Sequence, residues 1–225
     1  MSKLNDLIAR LCPDGVEWKN FFVVCDYIRG ITYNKNAEIN DSFDGIKVLR
    51  ANNITLEYNM LNFEDVKKVS SDVIVKENQW LKKDDILICA GSGSKEHIGK
   101  VAYIFESLNY TFGGFMGVIR PKTDNLKARF LFHILTSAMF KKHLAKASGA
   151  ASSTINNINN ATWEYFKIPV PPLEVQREIV RILDSFTELT AELTAELTAE
   201  LTAELTARQK QYEYYRDNLL SFGDK

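Results

Sequence analysis

The sequence has few residues of the kinds that build metal sites or disulfide frameworks, and it has no long apolar run. Its 225 residues include three cysteines and three histidines, none of which stands at the spacing of a zinc site. An odd number of widely separated cysteines is typical of reduced thiols, so we expect a cytoplasmic protein. No segment is apolar enough to cross a membrane, and the N-terminal segment lacks the apolar core of a signal peptide.

Catalytic motifs are also absent. The segment Gly91–Lys100 resembles a phosphate-binding loop, but five residues separate Gly93 from Gly99 where four are required, and Val101 stands where Ser or Thr is needed. No Ser-His-Asp or Cys-His arrangement can be argued from spacing. The Asn/Asp-Pro-Pro-Tyr/Phe signature of amino-methyltransferases does not occur. We therefore expect no catalytic residue, metal or cofactor in this chain.

Acidic residues are missing from one long interval. No Asp or Glu occurs between Asp124 and Glu164, whereas five Lys or Arg and two His do. Residues 1–172 carry 22 Lys or Arg against 18 Asp or Glu, and residues 173–225 carry 6 against 11. A basic interval in a near-neutral chain is typical of a polyanion-binding face, although a solvated helix face without acids has the same pattern.

The pattern of apolar residues predicts a mixed α/β (α+β) domain over residues 1–172 and a long helix in residues 173–225. Shorter helices are expected at residues 4–11 and Ala128–Lys146, where apolar residues recur at helical spacing. Runs rich in Val, Ile, Phe and Tyr predict strands at Phe21–Val24, Ile46–Arg50, Asp85–Cys89, Lys100–Phe105 and Phe115–Arg120. The prolines of Ile168–Pro172 favour extended backbone, which ends the globular part.

The long helix contains a four-residue unit, Thr-Ala-Glu-Leu, repeated without change between Leu189 and Leu205. The unit has no Gly or Pro, so it is helical, and each copy adds about 6 Å while turning the next by roughly 40°. An unchanged repeat without pocket chemistry indicates that its length matters, as in a rigid spacer. The alternative is a surface helix lengthened by replication slippage.

Apolar residues on both sides of the repeat step by three and four, which is the spacing of a coiled-coil seam, and the repeat inserts stutters into it. A leucine stripe of this length would be an exposed apolar patch, so we expect a partner helix. The candidate pairing residues are Ile179, Ile182, Phe186, Leu189, Leu193, Leu197, Leu201, Leu205, Tyr212 and Leu219.

Candidate DNA contacts share a position in polar loops or on the basic helix. Arg suits guanine and Asn suits adenine, while Lys and hydroxyl groups suit phosphates. The candidates are Tyr33, Lys35, Arg50, Asn52, Asn53, Ser92, Ser94, Lys95, His97, Lys141, Lys142, Lys146, Ser152, Ser153, Thr154 and Asn156. Structural roles stay open: Asn caps turns, residues 91–100 can form a plain hairpin loop, and residues 147–160 can be a flexible crossover.

Several segments together resemble the specificity subunits of type I restriction-modification enzymes. They are LCPDGVEWKN near the start, FGGFMGVIRPK at Phe112–Lys122, IPVPPLEVQREIVRILD at Ile168–Asp184, the Thr-Ala-Glu-Leu repeat, and RQKQYEYYRDNLLSF at Arg208–Phe222. The resemblance covers nearly the whole chain. It implies a DNA-reading target recognition domain joined to a long helix that pairs antiparallel.

The resemblance also implies partners. Modification subunits would dock on the chain and methylate adenine in double-stranded DNA with S-adenosylmethionine, and restriction subunits would add translocation and cleavage driven by ATP and Mg²⁺. None of this chemistry would reside in the chain itself. The alternative is a non-catalytic coiled-coil adaptor or decoy, which docks methyltransferase subunits without reading DNA.

One departure from the family pattern shapes the expected target. Such subunits usually contain two recognition domains and two long helices, whereas this chain has one of each and resembles a half-subunit. Two copies paired as an antiparallel homodimer would place identical recognition domains at opposite ends. A two-fold protein reads an inverted repeat, so we expect two identical half-sites whose spacing follows the number of repeat units.

Overall fold

The computed structural model describes residues 3–39, 44–93, 96–147 and 157–221. The chain divides into two compact units, residues 1–180 and residues 181–225. The first unit holds the sheets and the short helices. The first eight residues of the long helix belong to this unit, and the remainder forms the second.

The first unit contains two four-stranded sheets and a two-stranded ribbon. In the first sheet, the order β2-β9-β6-β7 joins Cys25–Arg29, Met116–Pro121, Ile86–Cys89 and Val101–Tyr103, all antiparallel. In the second sheet, the order β3-β5-β4-β8 joins Glu38–Ile39, Lys67–Val69, Ile46–Leu49 and Thr111–Phe112. The pair β4–β8 is parallel. The ribbon pairs β1 (Trp18–Asn20) with β10 (Lys167–Pro169).

The described residues form five short α-helices and a sixth, long one. They are α1 (Lys3–Leu11), α2 (Phe21–Val24), α3 (Ala128–Thr136), α4 (Ala138–Ala147), α5 (Asn160–Glu164) and α6 (Leu173–Leu220). A mixed α/β domain followed by a long C-terminal helix is the fold class expected from the sequence, and it is confirmed.

Strand β6 lies at the centre of the core because all four of its residues are buried. Ile86 and Ile88 pack in the cluster that includes α3, α4 and α5, whereas Leu87 and Cys89 pack in the cluster with the second sheet. This division follows from the two-residue period of a strand, which sends successive side chains to opposite faces. Both faces of the first sheet are therefore covered.

Trp163 in α5 anchors the chain at the end of the basic interval. Its indole is fully buried and stacks on Phe21 at 4.3 Å and on Phe140 of α4 at 5.5 Å between ring centroids. The start of α6 is anchored by Gln176, whose amide nitrogen donates to the carbonyls of Asn125 and Pro171, both at 2.7 Å. These contacts fix α5 and the start of α6 on the domain core.

Two predicted elements were wrong in type or continuity. Phe21–Val24 is one helical turn and not a strand, because Phe21 and Val24 are buried together at a spacing of three while the residues between them are exposed. The predicted helix Ala128–Lys146 is two helices. The chain is extended at Ser137 (φ −76°, ψ 162°), and the hydroxyl of Ser137 donates to the Ile134 carbonyl at 2.6 Å, which ends α3.

Candidate nucleic-acid interface

The turn between β8 and β9 is the point where several loops meet. The Gly113 nitrogen donates to the carbonyl of Leu49 at the end of β4, at 2.9 Å. The carbonyl of Phe115 accepts from the nitrogens of Ala90 and Gly91 at the end of β6, at 2.8 and 2.9 Å. We call this meeting place the loop edge, and it comprises residues 29–33, 50–53, 90–93, 113–115 and 157–158.

Glycine makes this meeting possible. A Cβ atom at Gly30, after β2, would collide with the carbonyl of Gly113, so a larger residue would push the two loops apart. The Ile31 nitrogen donates to the Phe112 carbonyl at 2.8 Å, which extends the pairing into the loop. No Asp or Glu occurs in any of the five segments of the loop edge. An acidic group reaches donors of these segments from outside them, because Asp65 accepts from Arg50 and Asn52.

Arg29 holds three loops together. Its guanidinium donates to the side-chain oxygen of Asn157 at 3.1 Å, to the Ile158 carbonyl at 3.0 Å and to the Gly114 carbonyl at 2.9 Å. The Tyr27 hydroxyl also donates to the Ile158 carbonyl at 3.2 Å, and burial raises the pKa of Tyr27, which keeps that donor protonated. Arg29 therefore brings the end of the polar segment that follows α4 to the loop edge.

Arg50 and Asn52 share one carboxylate. The Arg50 guanidinium and the Asn52 amide each donate to Oδ2 of Asp65 at 2.9 Å. The Asp65 side chain is 69% exposed and the Arg50 side chain 34% exposed, so the group lies at the surface. Two of the residues predicted to read bases are therefore together, but a base must compete with Asp65 for them.

The prediction that Asn53 contacts DNA is contradicted by its burial. Asn53 is 1% exposed, and its amide nitrogen donates to the carbonyls of Asn62 and Asp65 at 2.8 and 3.1 Å. Its side-chain oxygen accepts from the Arg50 nitrogen at 2.8 Å. All of its hydrogen-bonding groups thus hold the loop that carries Arg50 and Asn52.

The loop between β6 and β7 carries Ser92 and His97, both half-buried. Its end is fixed by the bond from the Gly99 nitrogen to the Cys89 carbonyl at 2.9 Å, and by Lys100, which donates to the Leu56 carbonyl. A Cβ at Gly99 would lie 2.6 Å from Leu144, so this loop packs on α4. The predicted contacts Ser94 and Lys95 lie outside the described residues.

Helix α4 presents its lysines to solvent. Lys141, Lys142 and Lys146 are exposed, whereas Phe140 and Leu144 are buried against the core. The spacing of the two buried residues fixes the exposed face, because residues four apart lie on one side of a helix. The predicted contacts Ser152, Ser153, Thr154 and Asn156 lie outside the described residues.

Tyr33 and Lys35 differ in accessibility. Tyr33 is half-buried against the cluster formed by Ile31, Val48 and Val69, and burial raises the pKa of its phenol. Lys35 is exposed at the start of a single 3₁₀ turn, which Asn34 caps by accepting from the Asn36 nitrogen at 3.1 Å. Tyr33 therefore belongs to the loop edge, and Lys35 follows just beyond it.

Comparison with known proteins places this arrangement in a family. Residues 15–203 match the family model described as "Type I restriction modification DNA specificity domain". The chain belongs to this family. The resemblance expected from the sequence motifs is thereby confirmed.

Curated specificity subunits show the same relationship. The chain is 34% identical over 174 residues to the EcoKI specificity subunit of Escherichia coli K12, which covers 77% of the chain and 36% of that protein. It is 32% identical over 231 residues to the EcoprrI specificity subunit of Escherichia coli, which covers 99% of the chain and 54% of that protein. This specificity domain thus spans about a third to a half of the length of these relatives.

Solved structures share the fold. A structure described as underlying assembly and conformational transition of the type I R-M system superposes with a TM-score of 0.62 at 22% identity, covering 93% of the chain and 48% of the other. The HsdS subunit of Thermoanaerobacter tengcongensis superposes with a TM-score of 0.58 at 20% identity, covering 85% and 44%.

The long helix of this specificity domain exposes the predicted apolar stripe. Leu189, Leu193, Leu197, Leu201 and Leu205, which we call the leucine stripe, are 52–60% exposed. In the same repeat, each threonine hydroxyl donates to the carbonyl four residues earlier, as Thr198 does to Thr194 at 2.7 Å. These threonine hydroxyls are satisfied within the helix, and Glu204 pairs with Arg208 at 3.6 Å, so the leucine side chains are what the repeat leaves for a partner.

The other predicted pairing residues divide at the unit boundary. Phe186, Tyr212 and Leu219 are 64–73% exposed, and Ile182 is half-buried. Ile179 is half-buried and packs against the domain core, and its pairing role stays a prediction. The candidates that are more than half exposed therefore begin at Phe186.

The described part of the chain offers neither a metal-binding cluster nor a membrane-spanning helix. Within residues 3–39, 44–93, 96–147 and 157–221, no group of three or more His, Cys, Asp or Glu is placed to hold a metal ion. In the same ranges, no helix is long and apolar enough to cross a membrane.

Proposed function

We propose that this chain is the sequence-reading, non-catalytic subunit of a type I restriction-modification system. It binds double-stranded DNA through the loop edge and the exposed lysines of α4. The observation that carries the proposal is the convergence of five loop segments without acidic residues beside a helix with exposed lysines. Lysines suit phosphates, and the Arg and Asn side chains of the loops suit base edges.

The family membership supports further proposals about partners. Modification subunits that carry S-adenosylmethionine dock on this chain and methylate adenine at the site that it selects. Restriction subunits with ATP and Mg²⁺ join the same assembly. The chain sets where these subunits act and supplies no reacting group.

We further propose that two copies pair antiparallel through α6. The leucine stripe is more than half exposed along its length, and burying apolar side chains is the main driving force for helix association. In an antiparallel pair centred near Leu197 and Leu201, Arg208 and Lys210 of one copy lie near Glu188 and Glu192 of the other. A parallel pair in register would instead place every glutamate of the repeat opposite the same glutamate of the partner chain, and these like charges repel.

The antiparallel pair determines the form of the target. Two identical recognition domains related by a two-fold axis read two identical, inverted half-sites. The repeat of α6 lies between the two domains and acts as a spacer. The number of base pairs between the half-sites therefore follows the number of Thr-Ala-Glu-Leu units.

Salt dependence of DNA binding tests the proposal. We expect duplex affinity to fall steeply with salt, and we expect Lys141→Gln with Lys142→Gln to reduce the slope of log affinity against log salt by about one to two. Fluorescence anisotropy of a labelled duplex measures this slope. The matched control is Lys82→Gln with Lys83→Gln, an exposed lysine pair at the opposite end of β6. Absence of duplex binding at low salt would instead support the alternative function, a coiled-coil adaptor that docks methyltransferase subunits without reading DNA.

Asp65→Asn tests whether Arg50 and Asn52 read bases. Without the carboxylate, Arg50 is freed for phosphates, so we expect affinity for random duplex to rise and the preference for the target to fall by about tenfold. Competition binding with target and scrambled duplexes measures the ratio. The control is Asp72→Asn, which removes an exposed carboxylate bonded to Ser70. If the ratio of the affinities for target and scrambled duplexes is unchanged, Arg50 and Asn52 do not read bases under the control of Asp65.

A further inference from the structure

The Phe115 side chain is exposed in the middle of the loop edge. It is 70% exposed, although its own carbonyl is held by the nitrogens of Ala90 and Gly91 at 2.8 and 2.9 Å. The Met116 nitrogen donates to the Gly113 carbonyl at 2.7 Å, which closes the turn beneath the ring. The backbone that carries Phe115 is thus fixed on both sides, while the ring has no cover.

The turn is also held from the side. Arg29 donates to the Gly114 carbonyl at 2.9 Å, and a Cβ at Gly114 would lie 3.3 Å from the carbonyl of Ile31. A ring on such a support loses little conformational freedom when it binds a partner. The turn therefore holds the Phe115 backbone in place while it leaves the ring exposed.

The surroundings of the ring suit nucleic acid. Arg50 and Asn52 follow Leu49, to which the turn is bonded, and Ser92 follows Gly91. Asn157 reaches the same place through Arg29. The turn that carries the ring is therefore bonded to segments whose Arg, Asn and Ser side chains suit phosphates and base edges, although Asp65 competes for Arg50 and Asn52. Proteins that bind the minor groove frequently insert apolar side chains such as Phe between base steps and partly unstack them.

We propose that Phe115 inserts at one base step of the recognised half-site and unstacks it. This inference rests on the proposed function, because it requires that the loop edge faces duplex DNA. The ring adds sequence preference without a hydrogen bond, since pyrimidine–purine steps unstack most easily. Phe115 is thus a specificity-determining residue that acts through DNA deformation.

The test uses the full chain, its DNA target, and duplexes with 2-aminopurine placed at successive positions of one half-site. We expect the wild-type chain to raise the fluorescence at one step. Phe115→Ala should abolish that rise and weaken target binding by about 10-fold to 100-fold, while Phe115→Trp should retain both. The slope of affinity against salt should not change in either variant, because no phosphate contact is lost.

Phe105→Ala is the matched control, because Phe105 is 67% exposed and follows β7 at the opposite end of the first sheet. If the wild-type chain binds no duplex, the proposed function and this inference both fail. If the wild-type chain binds and Phe115→Ala binds equally well, only the inference fails. It also fails if Phe115→Ala keeps DNA binding but loses a modification subunit in pull-down, which would make the ring a protein contact.

Discussion

Leu197→Glu combined with Leu201→Glu is expected to convert a dimer of this chain into a monomer. In the proposed antiparallel dimer, the pair of substitutions introduces four charges into the centre of the interface and removes four leucines from it. Each leucine that goes from half exposed to buried contributes roughly 1 kcal/mol, so the dissociation constant should rise by at least about 1,000-fold. Light scattering of the purified chain measures the mass.

The same variant should lose most of its affinity for a two-part target. Two linked recognition domains bind a pair of half-sites about 100-fold or more tighter than one domain binds alone. The control is Ala195→Glu with Ala199→Glu, which adds the same charges on the opposite side of the helix, since alanine and leucine of one unit are about 200° apart. A wild-type chain that is monomeric, or a double leucine variant that stays dimeric, would contradict pairing through the leucine stripe.

Deletion of Thr198–Leu201 is expected to change the preferred spacing of the half-sites without changing their sequence. One unit shortens α6 by about 6 Å, which corresponds to between one and two steps of 3.4 Å along DNA. Binding to the original target should fall by about 100-fold, because only one domain can engage at a time. Binding to a target with one or two base pairs removed from the spacer should recover. Competition among duplexes of different spacer length measures both effects.

Thr198→Ala provides the matched control for the deletion. It keeps the helix length and removes a hydroxyl that donates to the Thr194 carbonyl within the same helix. We expect its spacer preference to equal that of the wild-type chain. If the deletion variant still prefers the original spacing, the repeat does not set the spacing of the half-sites. A surface helix lengthened by replication slippage then explains the repeat better.

The elements that sequence alone predicts well are those fixed by local patterns. The bounds of α6 follow from the absence of Gly and Pro between Pro172 and Leu220, and those of α1 follow from its apolar spacing. Strand β6 is a short apolar run between a turn and a glycine loop. Phe21–Val24 was wrong because four apolar residues fit a strand and a helical turn equally well, and only the tertiary burial of Phe21 and Val24 decides between them.

The loop edge was only partly predictable. Arg50, Asn52 and Ser92 could be named because their residue types suit DNA, but that reasoning could not tell that Asn53 is buried. Arg29 and Phe115 were missed. Arg29 acts through partners at Gly114 and Asn157, which are 85 and 128 residues away in the sequence. The Gly113-Gly114 pair was the only local signal for Phe115, and it does not show that the ring is exposed.

The proposed function requires that this chain directs methylation as a two-fold symmetric dimer. Mapping of methylated adenines tests this requirement most directly. The chain is expressed with its modification subunit in cells that lack other adenine methylation, and modified positions are read by single-molecule sequencing. We predict one motif with two identical, inverted half-sites and a fixed non-specific spacer. An asymmetric motif would contradict the homodimer, and the absence of any motif would contradict sequence recognition by this chain.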